Sequence, residues 1–172
     1  MSFYIIPIEI LSFFVASTTQ NPLLASFNHN AAGTGSWKYR SYSYYASKTG
    51  SVTLKFTFMT SANYIWYLDD VSVQDSTSTE KLVNSNFEGS PSLTGWSTGS
   101  TILCSLSSGI STTRSHSTSK SFYDYCDYVS NWIYQSFTVT DGEIYNVSFW
   151  FYLDKVASLL LIETIDVDIT IT

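Results

Sequence analysis

Residues 51–58 read SVTLKFTF, so that Val52, Leu54, Phe56 and Phe58 alternate with Ser51, Thr53, Lys55 and Thr57. A period of two puts successive side chains on opposite faces of an extended chain, so the stretch is a strand with one face in a core and one in water. The chain closes on the same pattern, with Ile165, Val167, Ile169 and Ile171 alternating with Asp166, Asp168, Thr170 and Thr172. Turn signals separate such runs: Gly33-Thr34-Gly35, Lys48-Thr49-Gly50, Gly89-Ser90-Pro91 and Asp141-Gly142. The last lies between YQSFTVT and EIYNVSFWFYL and predicts a hairpin. No segment carries an apolar stripe at helical spacing with caps. Short strands at regular spacing predict an all-β antiparallel sandwich of jelly-roll type.

A length of 172 residues suits one domain of the usual size. Hydrophobic residues make up 44% of the chain and charged ones only 13%, so solubility rests on Ser, Thr and Asn, a surface suited to the outside of a cell. The net charge of −6, with eight scattered Lys and Arg, excludes nucleic acid as a partner. Glu9 interrupts the longest apolar stretch, which falls short of the roughly 18 residues a spanning helix needs, so the chain is not expected to span a membrane. MSFYIIPIEILSFFVAST ends on Val15-Ala16-Ser17, which resembles a signal-peptide cleavage site, but it lacks a basic start and carries Pro7 and Glu9. Strand and signal peptide both remain readings of it.

Cys104 and Cys126 bracket the loop-like run CSLSSGISTTRSHSTSKSFYDYC, with no His or Cys at zinc-site spacing. Two free thiols are the alternative to a disulfide. The bridge is the expectation; it would stabilise the fold by about 3 kcal/mol and imply an oxidising compartment. Asn146-Val147-Ser148 is an N-glycosylation sequon.

An internal repeat bears on domain organisation. SFYIIPIE from Ser2 lines up with SFWFYLDK from Ser148, as if the chain began and ended inside successive copies of one module. The run LVNSNFEGSPSLTGW at 82–96 reads like the opening of a module, WYLDDVSV at 66–73 like the close of one, and the Ser/Thr-rich 75–81 like a linker. These motifs, with YQSFTVTDGEIYNVSFWFY, resemble the galactose-binding-like jelly rolls found among carbohydrate-binding modules and in repeats of secreted proteins. Here the closing motif precedes the opening one. The resemblance implies the C-terminal half of one module over 1–74, the linker, and the N-terminal half of the next over 82–172, folding together as one circularly permuted sandwich beside neighbouring repeats of an array.

The adjacent carboxylates Asp69 and Asp70 interrupt the strand-like WYLDDVSVQD. Strict alternation gives Asp69 the face of Tyr67, Val71 and Val73, toward the core, and turns Asp70 to solvent. A carboxylate facing the interior must be protonated, paired or bound to metal. The family resemblance implies a structural calcium held by the closing-motif Asp and the opening-motif Glu, here Asp69 and Glu88, with backbone oxygens completing a shell of six to eight. A solvated strand end is the alternative.

Catalysis would need convergent groups. Asp124, Asp127, Glu143 and Glu163 form no marked pair, and His29 and His116 sit in polar contexts expected at the surface, with no Gly-x-Ser-x-Gly elbow. The chain therefore reads as non-enzymatic. Aromatics are the more informative excess, because a sugar stacks its apolar face on exposed Trp or Tyr rings. SFYDYCDYVSNWIYQSF brings Tyr123, Tyr125, Tyr128 and Trp132 together with Asp124, Asp127 and Asn131, and this is the expected site for a glycan or polysaccharide. Core packing is the alternative for each ring, and Trp37 and Trp96 are expected in the core. The leading reading is an extracellular carbohydrate-binding module stabilised by calcium. A structural or adhesive repeat without its own sugar site is second, and a glycoside-hydrolase-associated domain third.

Overall fold

A computed structural model describes residues 23–28, 34–60, 64–103, 107–126, 128–155 and 164–171. The alternating runs become strands: β1 (Leu23–Asn28), β2 (Lys38–Tyr45), β3 (Gly50–Met59), β4 (Tyr64–Gln74), β5 (Ser97–Ser100), β6 (Ser107–Ser111), β7 (Ser121–Tyr125), β8 (Asn131–Val139), β9 (Ile144–Lys155) and β10 (Thr164–Ile171). The described residues contain no helix. They form two five-stranded antiparallel sheets, which we call A (β1-β10-β3-β8-β5) and B (β2-β9-β4-β7-β6).

The inner faces of the two sheets share one core, giving a β-sandwich-like, all-β architecture. Leu54, Phe56, Phe58 and Ile133 come from sheet A, and Trp66, Leu68, Phe122, Phe149, Phe151 and Leu153 from sheet B, all fully buried. A buried ring of Phe size contributes about 1.5–3 kcal/mol by leaving water, and edge contacts such as Phe56 against Phe149 at 5.1 Å fix their packing. Each sheet takes strands from before residue 75 and from after residue 81.

Among the described strands, β6 and β7 alone are both consecutive and paired. Every other connection joins strands of different sheets. The Asp141-Gly142 turn is present, with Gly142 at φ +81°, but it carries the chain from β8 in sheet A to β9 in sheet B, so the predicted hairpin is an arch between layers. A tight turn and two amphipathic strands satisfy either arrangement locally.

The 75–81 segment is an ordered turn. Asp75 Oδ1 accepts from the amides of Thr77 and Thr79, its Oδ2 lies 2.5 Å from Lys81 Nζ, and Gln74 bridges Glu80. The chain then runs back beside β4, with Lys81 N donating to Val73 O and Val71 N to Ser85 O. Asn84 organises the segment after it: its Nδ2 donates to Ser92 O, its Oδ1 accepts from Gly89 N, and its carbonyl takes the indole N–H of buried Trp96. A Cβ at Gly89 would meet the Asn84 side chain at 2.8 Å, so the close approach needs glycine.

Candidate functional site

Alternation in β4 breaks at the two aspartates. Asp69 pairs with Trp150 and Ser72 with Ser148, so three steps on β4 face two on β9, and Asp70 takes up the extra residue at φ +46°. This is a β-bulge, with Asp among the few residues that tolerate left-handed backbone. Its effect is to switch the parity of the strand. Trp66 and Leu68 point into the core before it, Val71 and Val73 after it. Asp69 therefore shares the outer face of sheet B with Tyr67 and stands opposite the valines, which corrects the expectation from strict alternation.

Asp69 is nonetheless fully buried, because residues 112–120 fold down over that outer face. Its Oδ2 accepts from the amides of His116 (2.7 Å) and Ser117 (3.2 Å), and its Oδ1 from the amide of Asp70 (2.8 Å). Burial pushes its carboxyl up to about 6 although these N–H groups pull the other way. Asp70 is bonded rather than simply solvated: Oδ2 meets His116 Nδ1 at 2.7 Å and Oδ1 accepts from Ser117 Oγ at 2.5 Å.

Glu88 holds the rest of the same loop. Its Oε1 accepts from Thr118 Oγ1, Ser119 N and Lys120 N at 2.6–2.8 Å, and its Oε2 from Ser119 Oγ. The Thr118 hydroxyl above all, with the loop amides, holds this carboxyl down at about 2. Asp69 and Glu88 thus meet at one loop, as neighbouring latches.

A calcium shell does not fit this arrangement. The groups facing Asp69 are three amide N–H donors, those facing Glu88 are two amides and two hydroxyls that donate to it, and the carbonyls of Glu88 and Gly89 face the Lys120 ammonium at 3.4 and 3.5 Å, which leaves few of the oxygens calcium takes. Among the described residues no three His, Cys, Asp or Glu side chains are grouped to hold a metal.

The loop closes over aromatic rings. His116 stacks on Trp150 at 3.8 Å, and Trp150 also touches Tyr39. Trp37 contacts His116 and Tyr152, placing it on this outer face and not in the central core. His116 is thus a surface residue with a fixed place. The Arg114 guanidinium lies 4.2 Å above the Tyr152 ring and donates to Asp154 Oδ2 at 2.8 Å.

Beside the latched loop a cavity of about 270 Å³ opens, lined by Ile65, Tyr67, Ile110, Tyr123 and the hydroxyl-bearing Ser111, Thr112 and Thr113. Tyr67 and Tyr123 pair across β4 and β7 with ring centres 6.5 Å apart. Burial raises the Tyr67 hydroxyl above its ordinary value.

The expected aromatic site does not converge, because its sequence is a crossover between layers. Tyr123 and Tyr125 lie on β7 in sheet B, and Trp132 on β8 in sheet A. Tyr128, at φ +57° and 59% exposed, sits on the connection. Asp124 and Asn131 are buried, and Asn131 Nδ2 donates to Asp124 Oδ1 at 2.9 Å. Tyr67 was missed because its neighbours come from distant sequence. Asn146 is exposed on β9, where its Oδ1 accepts from Ser41 Oγ. Of the carboxylates weighed for catalysis, Glu143 accepts from Ser76 Oγ, while Asp124 is bonded to Asn131. Asp127, Glu163, His29, Cys104 and the N-terminal apolar stretch lie outside the described residues. Among the described residues no helix is long and apolar enough to cross a membrane. No protein-family model, curated protein or solved structure matches this chain.

Proposed function

We propose that this chain is a non-catalytic carbohydrate-binding module with a galactose-binding-like jelly-roll design, acting outside the cell or at its surface. The observation that carries this reading is the cavity in which the Tyr67 and Tyr123 rings meet the hydroxyls of Ser111, Thr112 and Thr113. A sugar ring has an apolar face that packs on an aromatic and an equatorial belt of hydroxyls that exchange hydrogen bonds, so it needs this pairing of surfaces. The volume is just below the usual range of about 300–1,000 Å³ for ligand pockets and suits one sugar unit at a time. None of the described lining residues is a carboxylate, which favours a neutral glycan and gives hydrolysis no acid–base pair. A bridge between Cys104 and Cys126 belongs to the same proposal; Cys126 is fully buried just beyond β7.

A glycan array tests it. The wild-type chain is expected to retain a defined set of neutral glycans, and Tyr123→Ala to lose them by tenfold or more. Tyr123 is only half-buried, so the thermal midpoint should fall little. Undiminished binding by the variant would move the site elsewhere.

A further inference from the structure

Trp132 lies on the outer face of sheet A, opposite the cavity, where it pairs with Gly99 of the edge strand β5 on one side and Thr57 of β3 on the other. A Cβ at Gly99 would come within 2.6, 2.7 and 2.9 Å of the indole Nε1, Cε2 and Cζ2 atoms. The ring thus reaches sideways across the neighbouring backbone and lies down along the sheet, which a side chain at position 99 would prevent. It remains half-buried, with a surface still open to solvent.

Its surroundings are hydroxyls. Alternation puts Tyr134, Ser136 and Thr138 of β8 on the same face, with Thr57 beside the indole and Ser97 paired with Tyr134. Thr53 and Ser136 share a hydrogen bond of 2.7 Å. Charges stand further along the same rows: Lys55 pairs with Tyr134 on one side and Asp168 on the other, and Thr57 pairs with Asp166 of β10. A partner protein would look for a wider apolar patch and a nucleic acid for several cations. A flat indole bordered by hydroxyls complements a saccharide, whose ring has an apolar face and a belt of hydroxyls.

We infer that Trp132, laid across Gly99, forms a second saccharide-binding platform, so that one module engages two glycan chains on opposite faces and bridges them. The inference rests on the carbohydrate reading and extends it. The two sheets of a sandwich lie about 10 Å apart, so one sugar unit cannot occupy both sites. Bridging follows from geometry, and retention on a surface carrying many chains gains from two attachments without new contacts.

Titration calorimetry with a neutral oligosaccharide retained on the array reads the number of sites. Two per chain are expected for the wild type, one for Tyr123→Ala, one for Trp132→Ala and none for the double variant. Gly99→Ala keeps the indole but displaces it, and is expected to lose the platform alone; Trp132→Tyr should restore part of it. Turbidity of a long soluble form of the same glycan should rise with the wild type and with neither single variant. If the wild type binds one equivalent that Tyr123→Ala removes and Trp132→Ala leaves intact, Trp132 merely shields the Gly99 backbone, and the platform is overturned while the cavity stands. If Trp132→Ala removes all binding and Tyr123→Ala none, the platform stands as a single site, and both bridging and the cavity are overturned. If no neutral glycan binds at all, both readings fall. A Trp132→Ala chain that does not fold leaves the decision to Gly99→Ala and Trp132→Tyr.

Discussion

Asp69→Ala is expected to lower stability by about 3 kcal/mol and to free residues 112–120 from sheet B. The carboxylate accepts three amide hydrogens, from His116, Ser117 and Asp70, at a site without solvent exposure. Each buried donor left unpaired costs about 1–3 kcal/mol, and the loss is capped once the loop lifts and water reaches the amides. At roughly 2–4 °C per kcal/mol for a chain of this size, the thermal midpoint should fall by about 6–12 °C. The amides of His116 and Ser117 should lose their protection from hydrogen exchange. Glycan binding should fall as well, because Thr112 and Thr113 form one wall of the cavity and precede the anchored residues. Glu88→Ala should loosen residues 118–120 with a smaller effect, its carboxylate being partly exposed. Neither calcium nor chelator should move the wild-type midpoint, since hydrogen-bond donors fill the positions a metal would use. An Asp69→Ala protein that melts with the wild type, or a calcium-dependent rise that Asp69→Asn removes, would sink this account of the latch.

Stability is expected to fall as the pH rises from about 4 to about 8, and Asp124→Asn should remove most of that slope. Asp124 is fully buried; its Oδ1 accepts from Asn131, and its Oδ2 has no partner. Burial raises its carboxyl to about 7 from an ordinary 3.8, against the pull of Asn131 and the Cys126 amide. Between these values the folded chain keeps a proton that the unfolded chain has released, so raising the pH favours unfolding. The contribution is fully present below about pH 4 and lost as the pH passes 7, on the order of 4 kcal/mol for this one group. Asp69, raised to about 6, acts with the same sign over a window ending near 6. Glu88, lowered to about 2, acts oppositely, its contribution disappearing as the pH drops from about 4.5 toward 2. Urea unfolding at a series of pH values measures the sum, and a profile for Asp124→Asn that parallels the wild type would show that Asp124 ionises without penalty.

Strands and their inward faces were written in local sequence. The alternation at 51–58 gives β3, and that at 165–171 gives β10, because a period of two needs no partner to be read. The same locality misled at Asp69 and Asp70. One extra residue reverses the faces of a strand, and whether it is absorbed as a bulge depends on what β9 pairs with. The carboxylate still needed compensation, as its chemistry requires, but besides the adjacent Asp70 amide the groups that supply it lie 47 and 48 residues away in a loop with no pattern of its own.

Sheet membership was beyond sequence for a related reason. A short turn between two amphipathic strands can close a hairpin or an arch at similar local cost, and the choice belongs to the whole core. Here that core sends β8 to sheet A and β9 to sheet B, and it parts Tyr123 from Trp132, nine residues apart in sequence, onto opposite outer faces. The amino-acid sequence by itself determined an acidic all-β chain rich in aromatics, with the inner face legible where alternation runs unbroken. Tertiary structure alone decided which rings meet, since pairing between layers depends on surfaces that distant segments bury together, and not on the spacing within any one of them.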